Sequence, residues 1–123
     1  MIDFTFEMER IKENNIEQKR LIAKETCDSA VSFFKVSPQN VFLRIEEVNR
    51  EDYSRNGEIR DLAPRLYVLY AKPYPQEVIE GFTAEMAEKL SKMLTLAKKD
   101  IHIFFSEVKK DENDLRLAGF FMA

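Results

Sequence analysis

At 123 residues the chain is the size of one ordinary domain, which hides about two thirds of its unfolded surface on folding. Apolar residues make up 45% and charged residues 33%, with ten Phe and no Trp, a mixture that excludes the compositions typical of disorder. Bases and acids are interspersed at a formal charge of −3, so no positive field gathers phosphates, and nucleic acid is excluded as an expected partner.

No apolar run approaches the roughly 20 residues of a membrane span, and the opening MIDFTFEMER carries acids where a secretory leader carries bases. Neither a membrane partner nor export is expected, and the chain reads as cytoplasmic. The first element is a strand, in which Ile2, Phe4 and Phe6 alternate with Asp3 and Thr5. Glu17 to Lys35 follows as an amphipathic helix, with Ile22, Cys27, Ala30, Val31 and Phe34 three and four apart, and Ser37-Pro38 stops it. Cys27 is the chain's one cysteine, so no disulfide and no paired-thiol metal site can form within it, and a packed thiol is expected.

Val41 to Ile45 alternates strictly and predicts a second strand; residues 49 to 64 read as a loop. Leu66 to Ala71 is apolar throughout, the mark of a strand in the middle of a sheet. Gln76 to Leu94, opened by Pro75, places Val78, Phe82, Met86, Leu90 and Leu94 on one helical stripe, and Ile101 to Phe105 alternates again.

The chain is written twice. Phe33 to Asp52 lies over Met93 to Glu112 at an offset of 60, with Val41 on Ile101, Leu43 on Ile103, Ile45 on Phe105 and Val48 on Val108. Upstream the same offset sets Glu17 on Glu77 and Ile22 on Phe82. The expected fold is α+β in a single domain: two tandem β-α-β units, residues 1–52 and 65–112, joined by a linker 53–64 and followed by a tail 113–123. Their four strands share a mixed sheet with both helices on one face. The other face would carry Phe42, Arg44, His102 and Phe104, which is too apolar to leave in water, and burial between copies in a cyclic oligomer is the simplest remedy.

Strand, helix and strand of this spacing, doubled, resemble the tautomerase superfamily, in which 4-oxalocrotonate tautomerase has one unit and macrophage migration inhibitory factor two. The local matches are Glu17-Gln18-Lys19 at the helix start, Val41 to Val48, and the run Asp52 to Gly57, where the family often has an aromatic residue followed shortly by glycine. The resemblance implies a homotrimer with sites between subunits, a small acidic ligand, no cofactor and no metal. It also implies proton transfer between keto and enol forms by an N-terminal proline, whose secondary amine burial tunes towards neutrality.

This chain departs from the pattern at that residue, because Ile2 stands where the proline belongs. Activity of the family's usual kind is therefore in doubt, and the alternative is a non-catalytic trimer that binds a ligand or partner. A terminal amine on Met1 would be a displaced substitute base. The family's two arginines align near Asn14 and with Phe42, so neither carboxylate clamp is reproduced, although Arg44 lies two residues further on the same side. Tyr53 matches the family's aromatic wall, His102 aligns with a pocket tyrosine and Phe104 with a pocket asparagine, and Lys72 at the end of the central strand is an anion-binding candidate.

Blander readings stand beside these. His102 is the sole histidine, and a lone imidazole on a strand is more often packed than reactive. Glu46-Glu47 and Asp111-Glu112 point to opposite faces if extended and cannot converge on one atom. Lys98-Lys99 and Lys109-Lys110 are expected to be surface clusters.

Overall fold

A computed structural model describes residues 1–10, 15–59 and 62–108. Asn14, the two clusters at 109–112 and the tail 113–123 lie outside the described residues. Strand β1 (Ile2–Glu9) leads to helix α1 (Ile16–Phe34) and strand β2 (Val41–Val48). A short ribbon of β3 (Ser54–Arg55) and β4 (Glu58–Ile59) precedes β5 (Arg65–Tyr70), helix α2 (Gln76–Leu94) and β6 (His102–Glu107).

The four long strands form one sheet in the order β2-β1-β5-β6. Pairing is parallel within each unit, β1 with β2 and β5 with β6, and antiparallel where the units meet at β1 and β5. A parallel pair needs a crossover of a dozen or more residues, which the helices supply. Tyr67 and its neighbours thus lie in an inner strand, as their unbroken apolar run requires.

Alternation decides the faces. Ile2, Phe4, Phe6 and Met8 of β1 and Leu66, Val68 and Tyr70 of β5 are buried in one cluster with Ile22, Ala30 and Phe34 of α1 and Phe82, Met86 and Leu90 of α2. Both helices therefore cover the same face. Phe82 sits at the centre, its ring 4.9 Å from Phe34, 5.6 Å from Phe4 and 6.1 Å from Phe105. The stripe of α1 differs from expectation, because Thr26 and Ser29 are fully buried whereas Cys27 and Val31 are only half-buried. Polarity hid these two positions; they lie on the line through Ile22 and Ala30 that faces the sheet and α2.

The repeat holds down to its turns. Each helix has 19 residues and is followed by a left-handed residue, Lys35 (φ 56°) or Thr95 (φ 55°), then a three-residue 3-10 turn, Pro38–Asn40 or Lys98–Asp100. Offset 60 relates every one of these features. The first strands obey a different offset, since Ile2 pairs with Val41, whereas Arg65 pairs with His102 and thereby sets Pro64 beside Ile101. Pro64 is thus the counterpart of Ile2, 62 residues on, and the link from strand to helix is two residues shorter in the second unit. Both residues are buried.

In the stretch read as a loop, Asn56 (φ 55°) and Gly57 (φ 77°) turn the β3–β4 ribbon. Two successive left-handed residues are what a tight hairpin requires, and Asn-Gly supplies them at least cost. The uncovered sheet face carries three cross-strand rows: Phe42, Asp3, Leu69 and Ser106; Arg44, Thr5, Tyr67 and Phe104; Glu46, Glu7, Arg65 and His102. Phe42 is 49% and Phe104 45% exposed. Glu47 turns to the helix side and pairs with Lys19, while Glu46 stays exposed, so these adjacent carboxylates do diverge. No described helix is long and apolar enough to cross a membrane.

Candidate functional site

At the end of the sheet where the second unit begins, a cleft of about 690 Å³ opens beside the uncovered face. Four elements build it. The start of β6 contributes His102 and Phe104, two apart and so on the same side; the 3-10 turn before it contributes Lys99 and Asp100; β5 contributes Arg65; and the chain around β3 contributes Tyr53, Ser54 and Arg55. Ala63 closes the wall.

Arg65 is the most constrained of these. Its Nη2 donates to the Tyr53 hydroxyl at 3.2 Å, and its guanidinium carbon lies 5.8 Å from the centre of the same ring. Hydrogen bonding to Tyr67 holds its pKa above the ordinary arginine value against the opposing effect of burial, with smaller attraction from Tyr67, Tyr53 and Glu7. Its Nε is enclosed and has no acceptor among the described residues. An enclosed donor left unpaired costs about 1–3 kcal/mol, more for a charged group, and this one stands beside an open cleft.

Charge in the cleft is lopsided. Arg55, Arg65 and Lys99 face one carboxylate, Asp100, leaving two positive charges before His102 is considered. None of the three cations forms an ion pair with a described residue. The apolar wall is ordered by stacking: the Phe104 ring lies 5.3 Å from Tyr67 and 6.4 Å from His102. Such a site can hold an anion against guanidinium and ammonium groups, seat a flat apolar body, and offer an imidazole for proton exchange.

Of the residues singled out in the sequence, Tyr53, His102 and Phe104 come together here. The others do not. Met1, 73% exposed, precedes Ile2, whose neighbours are Val41 and Tyr70, so Met1, Phe42 and the exposed Lys72 lie at the opposite end of the sheet within one chain. The Lys72 ammonium stands 5.9 Å from the centre of the Tyr74 ring. Arg44, on the outer strand β2, is ion-paired with Glu46 at 3.2 Å.

Arg65, Lys99 and Arg55 were not legible as site residues. Lys98-Lys99 read as a surface cluster, and only half of it is committed elsewhere: Lys98 pairs with Glu88 of α2, whereas Lys99 turns to the cleft. A signal for Arg65 existed in Pro64, the second-unit counterpart of Ile2, since the residue after it opens the strand.

No family model matches the chain, and no curated protein matches it. Solved structures do. F6 fused 4-OT, a wild-type asymmetric trimer, superposes with a TM-score of 0.79 at 10% identity, over 87% of this chain and 86% of that one. R7 fused 4-OT, also a wild-type asymmetric trimer, gives 0.78 at 11% identity over 95% and 98%. Malonate semialdehyde decarboxylase gives 0.69 at 11% identity over 89% and 86%. At such identities a likeness speaks for the fold: this chain has the tautomerase-superfamily fold in its two-unit form.

Proposed function

We propose that this chain is a cytoplasmic, trimeric small-acid-binding protein on the tautomerase fold, in which keto-enol turnover of the family's usual kind is weak or lost. The observation that carries the reading is the convergence of Tyr53, His102 and Phe104 on a cleft with a cationic excess and an ordered aromatic wall. Loss of the usual chemistry is supported by Ile2, whose side chain is fully buried against the helices and offers no base. A positioned general base is typically worth about 10²–10⁴ in rate, so its loss leaves little above background. His102 is the remaining candidate for moving a proton, because imidazole is the side chain that does so most readily around neutrality.

Trimerisation is supported by the apolar residues on the uncovered face and by the trimers among the similar structures. Copies packed around that face would remove Phe42 and Phe104 from water.

Two measurements test this reading. Phenylpyruvate should bind, yet ketonise at a rate close to that of buffer alone; rapid turnover that disappears in His102→Ala would instead make the protein an enzyme with a relocated base. Light scattering should give three times the 14.5 kDa chain mass, and a stable monomer would remove the trimer from the proposal.

A further inference from the structure

The uncovered sheet face carries three carboxylates whose local partners differ. Glu46 is ion-paired with Arg44 at 3.2 Å, and Glu7 stands opposite Arg65 in the strand register and attracts its guanidinium. Asp3 has neither kind of neighbour. It is half-buried on the inner strand β1, in the row Phe42, Asp3, Leu69 and Ser106, and it forms no ion pair with a described residue. The cations nearest to it in the fold are engaged elsewhere or stand clear. Arg44, one row along on β2, is held by Glu46; Lys72, beyond β5, stands over the Tyr74 ring; and the terminal amine of Met1 makes no ion pair with a described residue. Covering that face without supplying a cation would strand a charge among apolar side chains.

The cleft has the opposite imbalance. Arg65 and His102 belong to the same face, and Arg65 keeps an enclosed Nε without an acceptor among the described residues. Arg55, Arg65 and Lys99 line the cleft with a single carboxylate, Asp100. One chain cannot bring the two features together. Asp3 lies two strands and four residues from His102 in the register, or about 16 Å. In a cyclic assembly the contacts run head to tail, so one side of a copy meets the other side of the next. Strands β2 and β6 are the two rims of the sheet, which sets the side beside Asp3 against the side that bears His102.

We infer that Asp3 of one subunit enters the cleft of the next and pairs there with His102 and Arg65, so that a partner's carboxylate completes each cleft. The same contact lays the partner's Phe42 against Phe104 and removes both exposed rings from water. The inference rests on the trimer reading above and adds the groups that join the copies. Three cations less Asp100 and the incoming Asp3 leave one positive charge before His102 is considered, so the joint does not abolish the cationic excess.

Sedimentation of a dilution series in the analytical ultracentrifuge tests it. Asp3→Asn should raise the concentration at which the trimer half-dissociates by about tenfold or more, because every contact loses a hydrogen bond between charged groups. Circular dichroism should stay unchanged, since Asp3 lies outside the buried cluster. His102→Ala should also weaken assembly, and serves alone if the Asp3 variant misfolds. The two losses should be less than additive when combined, and coupling between residues so far apart in one chain acts between chains. A trimer that Asp3→Asn leaves unchanged or tightens, or losses that simply add, overturns the inference while leaving the trimer reading intact. Natural protein that stays monomeric throughout the series sinks the trimer reading, and this inference with it.

Discussion

Ser29 and Thr26 occupy neighbouring turns of α1, both fully buried, yet their hydroxyls fare differently. Ser29 Oγ donates to Glu85 at 2.6 Å and accepts from Lys89 at 2.7 Å, and Lys89 also pairs with Glu25 at 2.9 Å. Two acids, one base and a hydroxyl thus join the helices where apolar contact alone would permit sliding. Thr26 Oγ1 has no hydrogen-bond partner among the described residues. Removing an unpaired buried hydroxyl while keeping the shape is neutral or favourable, so Thr26→Val should leave urea-unfolding stability unchanged or raise it by up to about 1 kcal/mol. A loss above that would mean that the hydroxyl has an acceptor after all. Ser29→Ala should destabilise, because it removes the buried hydroxyl that bridges Glu85 of α2 and Lys89 and leaves only their looser ion pair at 3.7 Å. Neither position was readable in the sequence, because a stripe defined by apolar residues passes over a buried hydroxyl that finds its partner 56 residues away.

The helices approach closely at Gly81 of α2. A Cβ built there would lie 2.6 Å from Cε1 of Phe33, a ring that also meets Phe82 edge-on at 6.4 Å. Alanine would gain about 1 kcal/mol of helix propensity over glycine, but the half-buried Phe33 ring must give way first. Gly81→Ala should therefore lower the melting temperature in the natural background and raise it in a Phe33→Leu background. Equal shifts in both would show that the ring is not the obstacle. Helices and long strands were legible because period and length agree in each, and because the repeat supplied every pattern twice. The β3–β4 ribbon was not, although Asn56-Gly57 carries the hairpin signal, because four strand residues give alternation no room to show.

Across the whole molecule, duplication explains both what the sequence disclosed and what it concealed. Topology followed from two copies of one pattern, since β-α-β units sharing a sheet leave few arrangements. The cleft did not follow, because its walls come from a turn, a ribbon and two strand starts separated by up to half the chain, and a resemblance anchored on the first residues directs attention to the opposite end. Tyr53, His102 and Phe104 were singled out through the family resemblance, with alternation setting His102 and Phe104 on one face; Arg65 and Lys99 needed the register. The same register sets Asp3 in one unit where Arg65 stands in the other, while Ile2 and Pro64 stay buried.

The Arg44–Glu46 pair on the outer strand β2 has a consequence for the fate of the chain in a crowded solution. Without those two side chains the segment Val41 to Val48 would be an apolar run broken only by Glu47 on the rim of a sheet, the composition that recruits like segments into fibrils. Alternating charges make such stacking repulsive or force ions out of water, while leaving the native pairing with β1 untouched. Arg44→Val with Glu46→Val should therefore leave the circular dichroism spectrum of fresh protein intact yet shorten the lag of thioflavin-detected aggregation on agitation. An unchanged lag would mean that this rim is shielded by other means.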